Sequence, residues 1–264
     1  MSPASVLGLL WLVAAAVMLA GWLHQRRHHN AGLADVLWAA LLALCAGVLA
    51  ATGAGAGAPR LLLAVLGGGW AIRLGAHLGA RVSREPEDGR YQALRDRWRD
   101  DQRRWFVFFQ CQALSVPWFA LPFAAVADNR HPHAAWLAAG AVIWLVGVLG
   151  ETLADRQLAH FRALPAHRGR ACRTGLWRYS RHPNYFFEWL HWFAYLAWSV
   201  GSRLAPLAWL GPVSMFVFLR YLSGVPWTEQ QALRSRGEDY REYQRSTSLF
   251  FPWFPRPPQS GADR

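Results

Sequence analysis

The sequence contains few of the residues that small secreted and metal-binding domains use for cross-linking. Only three cysteines, at positions 45, 111 and 172, occur in 264 residues, and they form no CxxC pair and no mixed histidine and cysteine set. This spacing argues against a disulfide framework and a structural zinc site, so we predict no metal. No internal repeat is visible either, although repeats are frequent in transporters.

Lysine is absent, so all 28 basic residues are arginines, and the formal net charge is +12. Such a charge can indicate nucleic-acid binding, but the arginines are placed in alternate loops, and we expect no nucleic-acid partner. Arginine-rich loops stay cytoplasmic, which predicts an N-terminus outside and a C-terminus in the cytoplasm. The rich segments are residues 26–27, 81–104, 156–181 and the tail after 234, whereas the other loops hold only Arg60, Arg130 and Arg203.

Seven apolar runs are each long enough to cross a hydrocarbon core of about 30 Å as a helix. They predict an all-α, polytopic protein of the bacterial inner membrane, surrounded by the lipid bilayer. The first run lacks a basic leader and is followed by the basic residues 24–29, a stop-transfer pattern rather than a cleaved signal peptide. Glu188 and His191 interrupt the sixth run. The runs are 4–23, 32–51, 61–80, 105–127, 135–153, 184–201 and 205–223.

We interpret the chain as one membrane domain with its polar chemistry on one side. The tail predicts a charged helix over 228–245, broken near Gly237, and an aromatic anchor at the membrane interface over 250–255. The expected parts of the domain at 1–264 are helices one to three at 1–80, a cytoplasmic loop at 81–104, and a C-terminal region at 105–264 with a cofactor motif at 151–188 and a tail at 227–264.

The most informative segment, residues 174–188, places cationic, amide, phenolic and carboxylate groups directly before an apolar run. Such groups are costly near hydrocarbon unless they have partners, so we interpret them as a site for a polar ligand at the membrane boundary. Arg178 and Arg181 can clamp phosphates beside a helix that begins near Pro183. The candidate residues here are Tyr179, Arg181, His182, Asn184, Tyr185 and Glu188.

Helix periodicity groups further polar residues. If a helix runs from 143 to 162, Glu151, Asp155 and Arg162 share one face within about 40°. Asn184 and Glu188 share a face of the next helix, where an amide with a carboxylate suits a carboxamide or sugar hydroxyls. The alternatives are a surface ladder of charges on the first helix and a polar seam that joins helices on the second.

Four residues elsewhere extend the candidate site. Arg73 lies within the third run, with Arg84 on the same face, and an arginine there either meets a counter-charge or ligand or snorkels to the interface. Asp35, which opens the second run, is a candidate proton donor or an ordinary acid at a helix N-terminus. Glu229 is a candidate for closing the cofactor site from the tail.

These residues resemble the steroid 5-alpha-reductase-like membrane family, especially its bacterial branch of unassigned function. The Arg-His-Pro-Asn-Tyr core at 181–185 is also similar to membrane sterol reductases and, more loosely, to isoprenylcysteine carboxyl methyltransferases. The resemblance covers most of the chain and is most specific in the C-terminal half. Its carriers are residues 70–73, 87–91, 151–162, 174–188 and 226–253.

The resemblance implies a seven-helix fold that binds NADPH from the cytoplasmic side. It also implies hydride delivery to an activated C=C bond of a lipidic substrate, steroid-like or isoprenoid-like, that enters from the bilayer. The positions that match the family's cofactor-contacting pattern are Asp155, Arg162, Asn184 and Glu188, together with Arg73 and Arg84 around the third span.

Two positions depart from the family pattern. Glu151 stands where the steroid enzymes usually have an amide, which alters a cofactor contact. Trp70 stands where they place a catalytic tyrosine, so their proton-donating apparatus does not carry over. We therefore expect Asp35 or Tyr91 to polarise a substrate carbonyl.

The leading hypothesis is an integral membrane NADPH-dependent reductase. The first alternative is methyl transfer from S-adenosylmethionine, a cofactor that carries no phosphate and has no obvious use for so many inward arginines. The second alternative is a lipid-binding or transport protein without catalysis. Transporters often have midplane sites built from broken helices, whereas the ionisable groups here gather at one membrane boundary.

Overall fold

The computed structural model describes residues 2–256, and that part of the chain is helical, without a β-strand. The predicted all-α class is confirmed. The chain forms two compact units, Met1–Ala141 with Ala194–Gly211 and Val142–Phe193 with Pro212–Arg264. The helices are α1 Pro3–His28, α2 Leu33–Thr52, α3 Gly57–Leu62, α4 Gly68–Arg84, α5 Gly89–Trp98, α6 Gln102–Phe119, α7 Leu121–Ala127, α8 Ala134–Ala163, α9 Pro183–His191, α10 Phe193–Ser199, α11 Ala205–Ala208, α12 Leu210–Val217, α13 Val225–Arg236 and α14 Glu238–Ser246.

Among the described residues, six helical stretches are long and apolar enough to span a membrane, so the chain is an integral membrane protein. The run predicted at 184–201 is instead two short helices, α9 and α10. The Trp192 N–H bonds to the carbonyl of Trp189, three residues back, and this tight turn separates the two helices. The six stretches are Pro3–His28, Leu33–Thr52, Gly57–Arg84, Gln102–Ala127, Ala134–Ala163 and Ala205–Arg236.

In the first unit, α1 packs against α6 and α2 packs against α4. At the end of α1, the fully buried Gln25 donates to Oε1 of Gln102 at 2.9 Å, and the Trp22 indole donates to the Gln102 carbonyl at 3.2 Å. Gly21 allows this approach, because a Cβ there would lie 3.1 Å from the Phe109 ring. These contacts fix the register of α1 along α6.

The segment predicted as a loop at 81–104 is mostly helical and is held by ion pairs. Glu87 accepts hydrogen bonds from the Ala31 N–H at 2.7 Å and from Arg95 Nη2 at 2.8 Å. Arg95 also pairs with Asp100 and lies 4.9 Å from the centre of the Trp105 ring. The connection between α4 and α6 is therefore folded onto the turn between α1 and α2.

In the second unit, glycines bring α8 and α9 into close contact. A Cβ on Gly147 would lie 2.6 Å from Cβ of His191, and a Cβ on Gly150 would lie 2.4 Å from the Phe187 ring. Only a residue without a side chain fits at either position. This contact sets the spacing between the two helices that carry half of the predicted cofactor residues.

The tail folds as predicted, as two helices that meet at Gly237, whose φ of 56° is unfavourable for other residues. The aromatic segment is only partly an anchor. Trp253 and Phe254 are 72% and 76% exposed, as an interfacial anchor requires, but Phe250 is 3% exposed. Its ring packs against that of Phe216, with centroids 5.4 Å apart, so Phe250 belongs to the core of the second unit.

We predict that Gly147→Ala lowers the free energy of unfolding by about 2 kcal/mol, because the added methyl group overpacks the contact between α8 and α9. Denaturation of the detergent-purified protein measures this. The matched control is Gly69→Ala in α4, where a Cβ meets nothing within 4 Å. The control should be neutral or stabilising by about 0.5–1 kcal/mol, and equal effects of the two variants would contradict the packing argument.

Candidate functional site

The first polar cluster lies in the first unit, where α2 begins. The Tyr91 hydroxyl donates to Oδ1 of Asp35 at 2.7 Å, and Arg90 Nη2 donates to Oδ2 of Asp35 at 3.1 Å. Asp88, the N-cap of α5, accepts from the backbone N–H of Arg90 at 2.9 Å and from its Nε at 3.1 Å. We call these four residues the Tyr91 cluster. The two residues predicted as catalytic, Asp35 and Tyr91, are thus in direct contact.

The charges of the Tyr91 cluster are balanced by contact. Burial would raise the pKa of Asp88, but the charge and hydrogen bonds of Arg90, with the charge of Arg81, hold it below its ordinary value. Burial first, and then the charge of Asp35, raises the pKa of Tyr91 well above its ordinary value. Tyr91 is therefore a neutral hydrogen-bond donor at neutral pH.

The cavity beside this cluster is small. Its volume is about 20 Å³, roughly the space of one water molecule, and Asp35, Arg90 and Tyr91 are among its lining residues. Tyr91 is only 4% exposed. A lipidic molecule can reach the Tyr91 hydroxyl only if this cavity widens.

The second polar group lies in the second unit, between α8 and α9. The Asn184 amide donates from Nδ2 to Oδ1 of Asp155 at 3.0 Å, and Asn184 Oδ1 accepts from the Tyr185 N–H at 3.0 Å. Glu151, one turn before Asp155 on α8, is buried, as is Glu188 on α9. Carboxylates and an amide are therefore concentrated on these two helices, as periodicity predicted.

The Glu188 carboxylate contacts two side chains of its own turn of the chain, Trp192 and His191. The Trp192 indole donates to its Oε1 at 3.4 Å, and Nδ1 of His191 lies 3.7 Å from its Oε2. Nδ1 of His191 also lies 2.5 Å from the Glu188 carbonyl oxygen. The carboxylate is thus held next to the break between α9 and α10.

The third polar group joins the segment before α9 to α13 and α14. Glu229 Oε1 accepts from Arg181 Nε at 3.1 Å, His182 Nε2 at 2.8 Å and the Tyr240 hydroxyl at 2.7 Å, and its Oε2 accepts from Gln244 Nε2 at 2.5 Å. We call these five residues the Glu229 clasp. Three of the four donors converge on Oε1, and Oε2 has one donor, so the carboxylate is held mainly through Oε1.

The clasp also fixes the protonation of its members. Burial is the largest influence on the pKa of His182 and lowers it, and the bond to Glu229 opposes this shift without reversing it. Burial, followed by the charge of Glu229, raises the pKa of Tyr240. At neutral pH both side chains are therefore neutral donors to one carboxylate. The His182 ring stacks on Tyr185, with centroids 5.4 Å apart and planes at 5°.

The structure distributes the remaining predicted residues as follows. Arg73 and Arg84 lie on α4 in the first unit, and Arg162 lies near the end of α8, in the second. Tyr179 is 37% exposed, and its ring contacts Phe254 edge-on. The cofactor role predicted for all of these, and for Arg181, His182 and Glu229, stays a prediction.

Four residues with specific contacts were not predicted as site residues. Three of them belong to the groups described above, and the fourth, Gln157, lies on α8 in the second unit. Arg90 and Asp88 form half of the Tyr91 cluster, although their Asp-Gly-Arg-Tyr run is visible in the sequence. Gln157 accepts from the Leu176 N–H at 2.9 Å and closes over Gly175, whose φ is 58°. Gln244 completes the Glu229 clasp, and its spacing from Glu229 gave no signal because Gly237 breaks the helix between them.

Comparison with known proteins gives one family. The model of the family DUF1295, described as a protein of unknown function, matches residues 21–247, which is most of the chain. No curated protein and no solved structure matches.

We predict that Glu229→Gln lowers the free energy of unfolding by about 3 kcal/mol, because the Arg181 guanidinium, on a side chain that is 10% exposed, loses its counter-charge. Denaturation in detergent measures the loss. Glu238→Gln is the matched control, since Glu238 pairs with Arg241 and Arg245 on an exposed surface, where ion pairs contribute little. An unchanged midpoint for Glu229→Gln would show that the clasp is not structural.

Proposed function

We propose that this chain, which belongs to the DUF1295 family, is an NADPH-dependent reductase that acts on an activated C=C bond of a lipidic substrate within the membrane. The observation that carries the proposal is the hydrogen bond between Asp35 and the buried Tyr91. A neutral phenol, oriented by a carboxylate at the end of an apolar helix, is a suitable donor to the carbonyl of a membrane-soluble enone. The fold is in keeping with the steroid 5-alpha-reductase-like resemblance.

The donor set of the second unit fits NADPH. The exposed Arg178, with Arg162 and the N-terminus of α9, would hold the phosphates, since guanidinium groups and helix N-termini favour them. Asn184 and Asp155, 3.0 Å apart, offer an amide and a carboxylate for the carboxamide and the ribose hydroxyls. When bound, NADPH supplies the hydride that the β-carbon of the substrate receives.

The Tyr91 cluster then has a defined task. In the structure the Tyr91 hydroxyl donates its hydrogen bond to Asp35. A bound substrate carbonyl must therefore replace Asp35 as the acceptor. Arg90 remains bonded to Asp35 and compensates the carboxylate that has lost its donor. The Tyr91 hydroxyl, hydrogen-bonded to the carbonyl oxygen, stabilises the charge of the enolate. A proton taken up from water at the α-carbon completes the reduction, and Tyr91 keeps its own proton.

The Glu229 clasp supports this function by holding the start of α9 in place. Because three donors converge on Oε1, any further contact of Glu229 with a cofactor would be made through Oε2, which has one donor, Gln244. Its role is to hold Arg181 and His182 at the start of α9, where Asn184 follows two residues later. The clasp thus joins the tail to the helix that carries the amide.

One test of the proposed function measures cofactor binding. NADPH should quench the tryptophan fluorescence of the detergent-purified protein, and Asn184→Asp should weaken its affinity about tenfold or more, because a second carboxylate replaces the amide beside Asp155. Gln231→Glu, which adds the same charge at an exposed position of α13, should leave the affinity unchanged. Failure of NADPH and NADH to bind, with binding of S-adenosylmethionine instead, would favour the methyltransferase.

Another test of the proposed function concerns Tyr91 as the donor to the substrate carbonyl. Tyr91→Phe should lower the turnover of NADPH with a micelle-soluble α,β-unsaturated ketone about 100-fold or more, since it removes the donor to the carbonyl. The NADPH affinity should stay unchanged, because Tyr91 acts on the substrate. Tyr221→Phe is the control, as Tyr221 is 60% exposed. Full activity of Tyr91→Phe would exclude the proposed role.

A further inference from the structure

A second cavity lies in the first unit, at the end of α2 opposite the Tyr91 cluster. Its volume is about 460 Å³, within the range of ligand pockets and far larger than the space beside Tyr91. Val6 of α1, Leu49 of α2 and Leu204 before α11 form apolar parts of its wall. Leu49 lies fourteen residues after Asp35, about 20 Å along the helix, so this cavity is separate from the Tyr91 cluster.

The charged part of the wall comes from two neighbouring turns. Asp128 and Arg130 follow α7, and Arg203 precedes α11. Asp128 is 8% exposed, whereas both arginines are exposed. Within residues 2–256 none of these three side chains makes a hydrogen bond or an ion pair. The carboxylate oxygens of Asp128 are not among the buried unpartnered atoms of residues 2–256, so a partner can reach them from the cavity that Asp128 lines.

The two turns are held rigidly by Asn129, which is fully buried. Its Nδ2 donates to the carbonyls of Trp198 at 2.8 Å and Val200 at 2.9 Å, and its Oδ1 accepts from the His131 N–H at 3.2 Å. Gly201 has a φ of 104°, and a Cβ there would lie 2.2 Å from the His131 carbonyl oxygen. The charged groups therefore stand on a preformed frame, which reduces the cost of ordering on binding.

The turn after α2 closes the same frame. The Gly55 N–H donates to the carbonyl of Ala127 and the Ala56 N–H to that of Asn129, both at 2.8 Å. Thr52 and Gly53, just before these bonds, line the cavity. One wall of the cavity is thus bonded directly to the backbone on either side of Asp128.

We propose that this cavity binds a phospholipid whose headgroup carries both a phosphate and a primary ammonium. Two guanidinium groups suit a phosphodiester, and the carboxylate of Asp128 suits the ammonium. The apolar wall takes the upper part of the acyl chains, which a free headgroup lacks. The mixed charge of the wall selects such a zwitterion over a purely anionic lipid, because the anionic lipid leaves Asp128 without a partner.

Calorimetric titration of the full chain, delipidated in detergent, tests the proposal with three probes. Dihexanoylphosphatidylethanolamine should bind about tenfold or more tightly than dihexanoylphosphatidylglycerol, which has equal chains and no ammonium, and than phosphoethanolamine, which has no chains. Arg130→Gln and Arg203→Gln should each weaken binding of the first lipid about tenfold or more. Both residues are exposed, so neither variant should unfold the protein.

The variant Asp128→Asn tests the contact with the ammonium group separately from the contacts with the phosphate. It should remove the preference between the two lipids and leave the NADPH affinity unchanged. Arg27→Gln, an exposed arginine of the same unit that does not line the cavity, should change nothing. Equal binding of the two lipids to the parent protein, phosphoethanolamine binding as tightly as the lipid, or insensitivity to both arginine substitutions would overturn the proposal.

Discussion

The cost of leaving a charge without a partner near hydrocarbon is the constraint on which the structure depends. This chain keeps the carboxylates of Asp35 and Glu229 near helix ends by surrounding them with donors. Asp35 accepts hydrogen bonds from Arg90 and Tyr91, and Glu229 accepts from four donors in two separate segments, the one before α9 and α14. Each arrangement fixes the connecting segments as well as the charge, because the donors come from the turns and short helices that follow the long ones. Electrostatic compensation is therefore also what folds the polar side of each unit.

The fold was accessible from sequence because apolar run length and helix periodicity are local properties. The long helices, the start of α9 at Pro183 and the break at Gly237 all follow from such signals. The division of 184–201 into α9 and α10 did not, because it depends on how Glu188, His191 and Trp192 bond within a single turn, which run length does not reveal. The helical content of residues 81–104 was missed for a related reason. Its polar composition suggested a loop, but Glu87, Arg95 and Asp100 stabilise it through contacts that only the fold creates.

The sequence was enough to single out individual polar side chains of the candidate site, but not to predict which of them touch one another. Asp35 and Tyr91 were proposed separately, and the hydrogen bond between them spans fifty-six positions of sequence that no periodicity connects. Asp155 and Asn184 were placed on faces of successive helices, and their contact required the glycine-mediated approach of α8 to α9. Glu229 was proposed as a closing residue from the tail. The four donors to its carboxylate make it the centre of a structural clasp, a role that residue type alone does not reveal.

The charged groups at the two ends of the first unit differ in whether they have partners, and this difference distinguishes the two roles that we propose for them. At the Tyr91 cluster every charge has a partner and the cavity has room for about one water molecule, so a ligand must displace an existing bond. That cost is appropriate for a reacting group, since the displaced hydrogen bond is then made to the atom where charge develops. At the opposite end, Asp128 and two arginines face a cavity that is already open. A ligand there displaces no protein bond, so the site can bind without rearrangement, as suits a structural lipid rather than a substrate.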